Sequence, residues 1–184
     1  MDVAFINPFI VSSRQVFDLM IHLPLELEKP YVRTHGNPNY TVSAIIGFGG
    51  AVSGCIVLGF TQQVALALAS GMMETPLQVL DADCVDALGE IVNMIAGSAK
   101  KDLPGGLSTV STPSVILGSH SIKYPTGVPI IVIPCQTQVG VFTIEVAIQK
   151  NPTAQTRENS PSKPAIAVSM VDAEIPPQRA EAAL

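Results

Sequence analysis

The 184-residue chain has no tryptophan and few aromatic residues of any kind, three tyrosines and six phenylalanines. That leaves no stacking platform for bases or sugars. Cations are scarce too: ten Lys and Arg stand against fifteen Asp and Glu, for a formal charge of −5, and no basic run occurs. Neutralising phosphates takes clustered Lys and Arg, so nucleic acid is excluded as a partner. Only three cysteines are present, Cys55, Cys84 and Cys135, each inside an apolar stretch. An odd, unpatterned set reads as buried free thiols in a reducing compartment. The start, Met1-Asp2-Val3-Ala4-Phe5, lacks the basic region and cleavage pattern of a signal peptide, so a cytoplasmic location is expected. His22, His35 and His120 sit in unrelated contexts and read as surface or loop histidines, so no metal-ligand cluster is expected. No Ser or Cys has a neighbouring His signature, which argues against nucleophilic catalysis.

What is present is apolar bulk. Nearly half the residues, 47 %, are hydrophobic, enough to fill the core of one domain with some chain left over. The charge is unevenly spread, because no Asp, Glu, Lys or Arg occurs between Arg33 and Glu74. Within that gap Thr41 to Phe60 is long enough to span a bilayer, and Gly50 and Gly54 have helix-dimer spacing. A β-hairpin is the stronger reading. Five glycines are many for a helix, Gly49-Gly50 lies between two β-branched runs, and no basic residues flank the segment closely. The expected strands are 40–48 and 51–59, and no membrane insertion is expected. The same glycines lack the Lys-Ser/Thr that a phosphate-cradling loop needs.

Along the rest of the chain, Asn7-Pro8 signals the cap and first turn of a helix reaching about His22. Residues 23–39 read as connection. A second helix opens at Thr61-Gln62-Gln63 and ends near Gly71-Met72; a third runs from about Asp81 to Lys101. Strand-like runs follow at 107–117, interrupted by Pro113, at 129–135 and at 139–149, with Gly118 to Gly127 as a polar loop. In the last run Phe142, Ile144, Val146 and Ile148 alternate with Val141, Thr143, Glu145 and Ala147, which predicts one buried face. Composition shifts after Lys150 to a Pro-, Ser- and Ala-rich stretch. The domain is therefore expected to cover 1–150, and 151–184 to be a flexible tail, with a short partner-binding peptide around Ala165 to Val171 as the alternative.

The third helix carries the functional argument. At 100° per residue, Val85, Leu88, Ile91, Val92, Ile95, Ala96 and Ala99 share one side, and Asp83, Asp86, Glu90, Asn93, Gly97, Lys100 and Lys101 the other. A polar stripe on such a helix is usually a solvated face. Asn93 and Gly97 do not fit that account. Asn is a poor mid-helix residue, and Gly costs up to about 1 kcal/mol relative to Ala. A small residue beside a carboxylate and an amide suits a surface where another backbone comes close.

Asp86-x-x-x-Glu90-x-x-Asn93-x-x-x-Gly97, followed by Ser111-Thr112-Pro113-Ser114-Val115-Ile116-Leu117-Gly118, resembles the CheC/CheX/FliY family of chemotaxis phosphatases. That family's pattern of Asp or Ser, Glu, Asn and a later Pro is matched by Asp86, Glu90, Asn93 and Pro113. Asn7-Pro8-Phe9 and Ile46-Gly47-Phe48-Gly49-Gly50 are similar as well. One motif copy rather than two favours the CheX branch. The resemblance implies an α/β, CheC-like single domain, with an antiparallel-rich sheet packed against three helices, forming a homodimer. It also implies hydrolysis of the aspartyl phosphate of a CheY-like response regulator. Glu90 and Asn93 would be catalytic, and Asp86, Gly97 and Pro113 would dock the partner. No cofactor of its own is implied, since Mg²⁺ would come with the phosphorylated regulator. The competing class is a catalytically silent regulator-binding or dimerisation module of the same fold; a membrane-anchored protein ranks third.

Overall fold

The computed structural model describes residues 3–34, 40–151 and, by backbone alone, 167–170. Asn7–Val16 forms α1, preceded by a 3-10 turn at Val3–Phe5 and prolonged by a π turn at Phe17–Ile21. The cap position is Ile6 rather than Asn7, and no side chain caps it. Pro8 still lies in the first turn, where its missing N–H leaves no bond unmade. α2, Gln62–Met73, is capped by the Thr61 hydroxyl, which accepts from the Val64 N–H. α3, Ala82–Ala99, is capped by the Asp81 carboxylate, which accepts from the Cys84 N–H at 3.0 Å. Both caps satisfy N–H groups that no helical carbonyl reaches.

The strands are β1 (Glu26–Leu27), β2 (Tyr31–Val32), β3 (Tyr40–Gly50), β4 (Val52–Phe60), β5 (Ser108–Val110), β6 (Ser114–Lys123), β7 (Ile131–Thr137), β8 (Gly140–Lys150) and β9 (Ala167–Met170). They form one antiparallel sheet in the order β1-β7-β8-β4-β3-β6-β9, with β2 also on β7 and β5 also on β3. The segment 41–60 is the β3–β4 hairpin, with Gly50 at φ +84° beside Ala51 in the turn. Its charge-free run has a simple cause. β3 and β4 have strand neighbours on both sides and are buried on both faces over most of their length, where a charge has nowhere to solvate. Among the described residues no helix is long and apolar enough to cross a membrane.

The three helices cover one face, with α3 in the middle against both α1 and α2. Leu88, Ile91 and Ile95 of α3 are fully buried with Phe9, Phe17, Leu68, Ile46, Ile56 and Ile144 in one core. Each such side chain is worth about 1.5–3 kcal/mol of burial. Phe9 meets Phe48 edge-on at 5.6 Å, and Phe17 stacks on Phe142 at 5.4 Å.

The opposite face departs from the sequence reading. On β8, Glu145 and Ala147 are as buried as the alternate residues on the helix side, because a second cluster of Tyr40, Ile45, Cys55, Val57, Ile122 and Val128 covers them. Glu145 accepts from Arg33 Nη1 at 2.8 Å and also bonds Arg33 Nη2, Tyr40 Oη and Tyr124 Oη. Burial, then the Glu145 charge, push the Tyr40 and Tyr124 phenols up. The guanidinium of Arg33 is held protonated by Glu145 against the opposing effect of burial. The network fastens the stretch after α1 and the stretch after β6 to the sheet.

Gly118 to Gly127 is not all loop. β6 continues to Lys123 through a bulge at Gly118, whose φ of +92° favours glycine, and a register shift opposite Tyr40 and Val42. The bulge turns His120 and Ile122 inward. His120 is buried rather than at the surface, bonding Ser43 Oγ at 2.8 Å through Nε2 and the Gly118 carbonyl at 2.7 Å through Nδ1. His22 is exposed and ends the first helix in the left-handed region; His35 lies outside the described residues. The run 107–117 is two strands, β5 and β6, both on β3. The stretch 23–39 contributes the two-residue strands β1 and β2. All three cysteines are free and buried. Within 151–184, Ala167–Met170 forms β9 against β6; 152–166 and 171–184 lie outside the described residues.

Candidate functional site

The apolar stripe of α3 is driven into the core, and this sets what its other side can present. Asp86 and Glu90 are exposed, and Asn93 and Gly97 half-buried, along one ridge. From Asp86 to Gly97 the ridge is about 16 Å long at 1.5 Å per residue. One pair on it is already ordered: Asn93 Nδ2 donates to Glu90 Oε2 at 3.2 Å, an i, i+3 contact across one turn. The bond fixes the amide's orientation and leaves its carbonyl and second N–H unengaged by Glu90. Among the described residues no cation pairs with Asp86 or Glu90, so both carboxylates face outward uncompensated.

Gly97 has no structural reason among the described residues. A Cβ built there meets none of their atoms within 4 Å beyond the helix's own backbone, so packing among them does not require glycine at this position.

Pro113 belongs to a different element yet reaches the same ridge. Its ring lies over Gly89, with Cγ 3.5 Å and Cβ 3.7 Å from where a Cβ on Gly89 would stand. Gly89 is buried and adjacent to Glu90, so exposed Pro113 forms a wall beside the Glu90 end of the ridge. Asp86, Glu90, Asn93, Gly97 and Pro113 are thus assembled on one surface, four by helical spacing and one by the sheet.

The residue that holds Pro113 there was missed in the sequence. β5 pairs Val110 with Phe48, and β6 pairs Ser114 with Ile45, so three residues face two and the chain must bulge. Ser111 bridges the gap. Its N–H donates to the Gly47 carbonyl at 2.9 Å, its Oγ accepts from the buried Gly47 N–H at 3.0 Å, and its hydroxyl donates to the Thr112 carbonyl at 2.8 Å. The side chain thereby stands in for a ladder carbonyl and lets Thr112-Pro113 swing out toward α3. A hydroxyl residue two places before a strand-breaking proline was the available signal.

Among the described residues no three His, Cys, Asp or Glu side chains gather as metal ligands. A hollow of about 450 Å³ opens elsewhere, lined by residues including Tyr40, Phe60, Pro134, Phe142 and Thr143, and it contains none of the ridge residues.

The chain thus presents carboxylates and an ordered amide along one ridge, with a proline wall beside it, on a helix laid across an antiparallel sheet. The family model described as "Chemotaxis phosphatase CheX" matches residues 42–136, which include α3, β5 and β6. The chemotaxis protein CheX of Desulfovibrio desulfuricans, in its crystal structure, is 33 % identical, with 80 % of this chain and 99 % of that one covered and a TM-score of 0.72. The CheY-P phosphatase CheX of Thermotoga maritima is 25 % identical over 147 residues, 79 % of this chain and 92 % of that protein. The CheX-CheY-BeF3-Mg+2 complex from Borrelia burgdorferi, at 23 % identity, matches in fold with a TM-score of 0.67, covering 79 % of this chain and 98 % of that one. The chain belongs to the CheX family of chemotaxis phosphatases.

Proposed function

We propose that this chain hydrolyses the aspartyl phosphate of a CheY-like response regulator and so ends a two-component signal. The single observation that carries the reading is the ordered Glu90–Asn93 pair on an outward ridge, in a chain of the CheX family. An acyl phosphate has a good leaving group, so positioning contributes more than base strength. The Asn93 amide is neutral and orients a water in line with the phosphorus without adding negative charge beside the phosphoryl oxygens. The amide of a GTPase glutamine serves in the same way. Glu90 anchors a cationic side chain of the regulator while holding the Asn93 amide by its hydrogen bond. Asp86 and Gly97 extend the docking surface along the ridge, Gly97 admitting a close backbone. Pro113 walls the other side.

The Mg²⁺ of this reaction arrives with the phosphorylated regulator and is part of the substrate. The catalytic residues lie in a domain of 1–150, to whose sheet Ala167–Met170 adds the edge strand β9; the protein works in the cytoplasm as a homodimer. The test is phosphate loss from a Mg²⁺-loaded, phosphorylated CheY-like regulator with and without this chain. Faster decay at substoichiometric amounts supports the reading. Unchanged decay across several candidate regulators, with binding retained, refutes it.

A further inference from the structure

No Lys or Arg occurs between Arg33 and Lys100, and Arg33 is committed to buried Glu145. The next two cations come together, Lys100 and Lys101, at the end of α3, and the phosphatase reading gives neither a task. In the helix layer, residues 3–22 and 61–103, the one other Lys or Arg is Arg14 of α1. Asp81, Asp83, Asp86 and Glu90 stand toward the opposite end of α3, so the helix changes sign along its length. Building on the regulator-docking reading of the ridge, we propose that Lys100, Lys101 and Gly97 form a cationic notch. It receives a carboxylate from the rim of the response regulator's phosphorylation site, and so selects and orients that partner.

The notch follows from the helix. The Lys100 N–H donates to the Ala96 carbonyl at 2.9 Å and the Lys101 N–H to the Ser98 carbonyl at 3.2 Å, so both residues continue the helical path. At ~100° per residue they fall about 50° to either side of the line through Asp86, Glu90, Asn93 and Gly97. Side chains on a helix lean toward its N-terminus, which directs both stems back alongside Gly97. A Cβ at Gly97 would still meet no described atom within 4 Å beyond the helix's own backbone, so the space between the stems is open. Lys101 is exposed and Lys100 half-buried. Among the described residues neither ammonium pairs with a carboxylate, the adjacent Asp102 included. Cations are favourable at any helix C-terminus, where they face the negative end of the dipole. That accounts for two lysines there, but not for an open glycine floor between them on the face that carries Asn93.

The partner's chemistry fits. A phosphorylation site that holds Mg²⁺ does so with carboxylates and phosphate oxygens, so its surroundings are anionic. From Asn93, Gly97 lies ~6 Å further along the helix axis, and Lys100 and Lys101 lie ~10–12 Å further. At that separation the notch meets the rim of the site rather than the phosphoryl group that Asn93 serves. Asp86 and Glu90 repel the same rim and favour the regulator's cationic side, so the two ends of the ridge permit one direction of docking. Charge arranged in this way acts chiefly on the rate of encounter and the choice of partner.

The test measures binding of a CheY-like regulator, loaded with BeF3⁻ and Mg²⁺, to the full chain. Wild type is compared with Lys100→Gln/Lys101→Gln and with Lys100→Glu/Lys101→Glu, and association rates are read by stopped flow from ~20 to ~300 mM salt. Melts confirm folding, and the Gln pair keeps good helix formers where Glu opposes the dipole. At the lowest salt the association rate should fall about threefold or more in the Gln pair and about tenfold or more in the Glu pair. The three proteins should converge as salt rises. With a phosphorylated regulator KM should rise while kcat stays within about twofold of wild type. An unchanged association rate overturns the proposal. So does a loss that salt leaves untouched, which marks lost packing, and so does a fall in kcat at saturation, which marks a role in the chemistry. No binding by wild type overturns the notch together with the docking surface. Wild type that binds without hydrolysing refutes the phosphatase reading alone, because the salt-dependent binding loss decides the notch separately.

Discussion

Ser111→Ala separates what the sheet contributes to the site from what the helix contributes. The substitution removes the acceptor for the Gly47 N–H, a buried ladder donor 3.0 Å from Ser111 Oγ, and the donor to the Thr112 carbonyl. An unpaired buried N–H costs about 1–3 kcal/mol. Ser111 itself is half-buried, so water offsets part of this, and about 1–2 kcal/mol is expected. For a domain of this size that lowers Tm by roughly 2–8 °C. The second effect is local. With the bulge unpinned, Pro113 no longer holds its place over Gly89, and the wall beside Glu90 loosens. Binding of the phosphorylated regulator should weaken several-fold while kcat stays near wild type, since Glu90 and Asn93 sit on an undisturbed α3. Thermal melts and a KM-against-kcat comparison measure the two effects, with Ser111→Thr as the control that restores the hydroxyl. An unchanged Tm, or a Thr variant as damaged as Ala, would refute the clamp. A fall in kcat at constant KM would show that Pro113 acts on the chemistry rather than on docking.

Glu145→Gln leaves Arg33 and two phenols around a neutral amide, and removing one partner of a buried pair typically costs about 3–5 kcal/mol. Urea unfolding should show that loss, and an effect below about 1 kcal/mol would mean the network is not formed. Gly97→Ala should stabilise the free protein by up to about 1 kcal/mol, because its methyl meets nothing, yet weaken regulator binding. Titration calorimetry against a melt decides it, and unchanged affinity would remove Gly97 from the docking surface. Burial, then the Glu145 charge, lift the Cys55 thiol from 9.0 to about 12, and burial lifts Cys135 to about 12. The unfolded thiols ionise first, so stability is retained below pH 9 and falls as pH rises from 9 toward 12. Urea midpoints across that range check the sign, and a rise there would contradict it.

The parts of the fold that depend on one segment at a time were legible in the sequence. α3 announced its buried and exposed sides through a 3.6-residue period, and the hairpin through β-branched runs around glycine. Asp81 and Thr61 marked helix starts because a cap is a local bond. The ridge of Asp86, Glu90, Asn93 and Gly97 came from the same periodicity. What stayed hidden required partners far along the chain. Glu145 looked like the solvent side of an alternating strand, because Arg33, Tyr40 and Tyr124 cover it from distances of 21 to 112 residues. His120 looked like a loop residue because Ser, His and Lys mask the alternation that resumes after the Gly118 bulge. β1 and β2 are too short to carry a period. Ser111 was visible as a residue but not as a clamp, since its partner Gly47 is 64 positions away.

Positioning of the attacking water by the Asn93 amide, ordered by Glu90, is open to a direct test. Single-turnover loss of phosphate from a Mg²⁺-loaded phospho-regulator should be measured with wild type and with Asn93→Ala, each saturating, alongside the affinity of each for the phosphorylated regulator. Asn93→Ala should bind within a few-fold of wild type, keep its melt, and lose roughly a hundredfold or more of the rate acceleration. A variant that still accelerates hydrolysis like wild type, or one whose whole defect is lost binding, would contradict it.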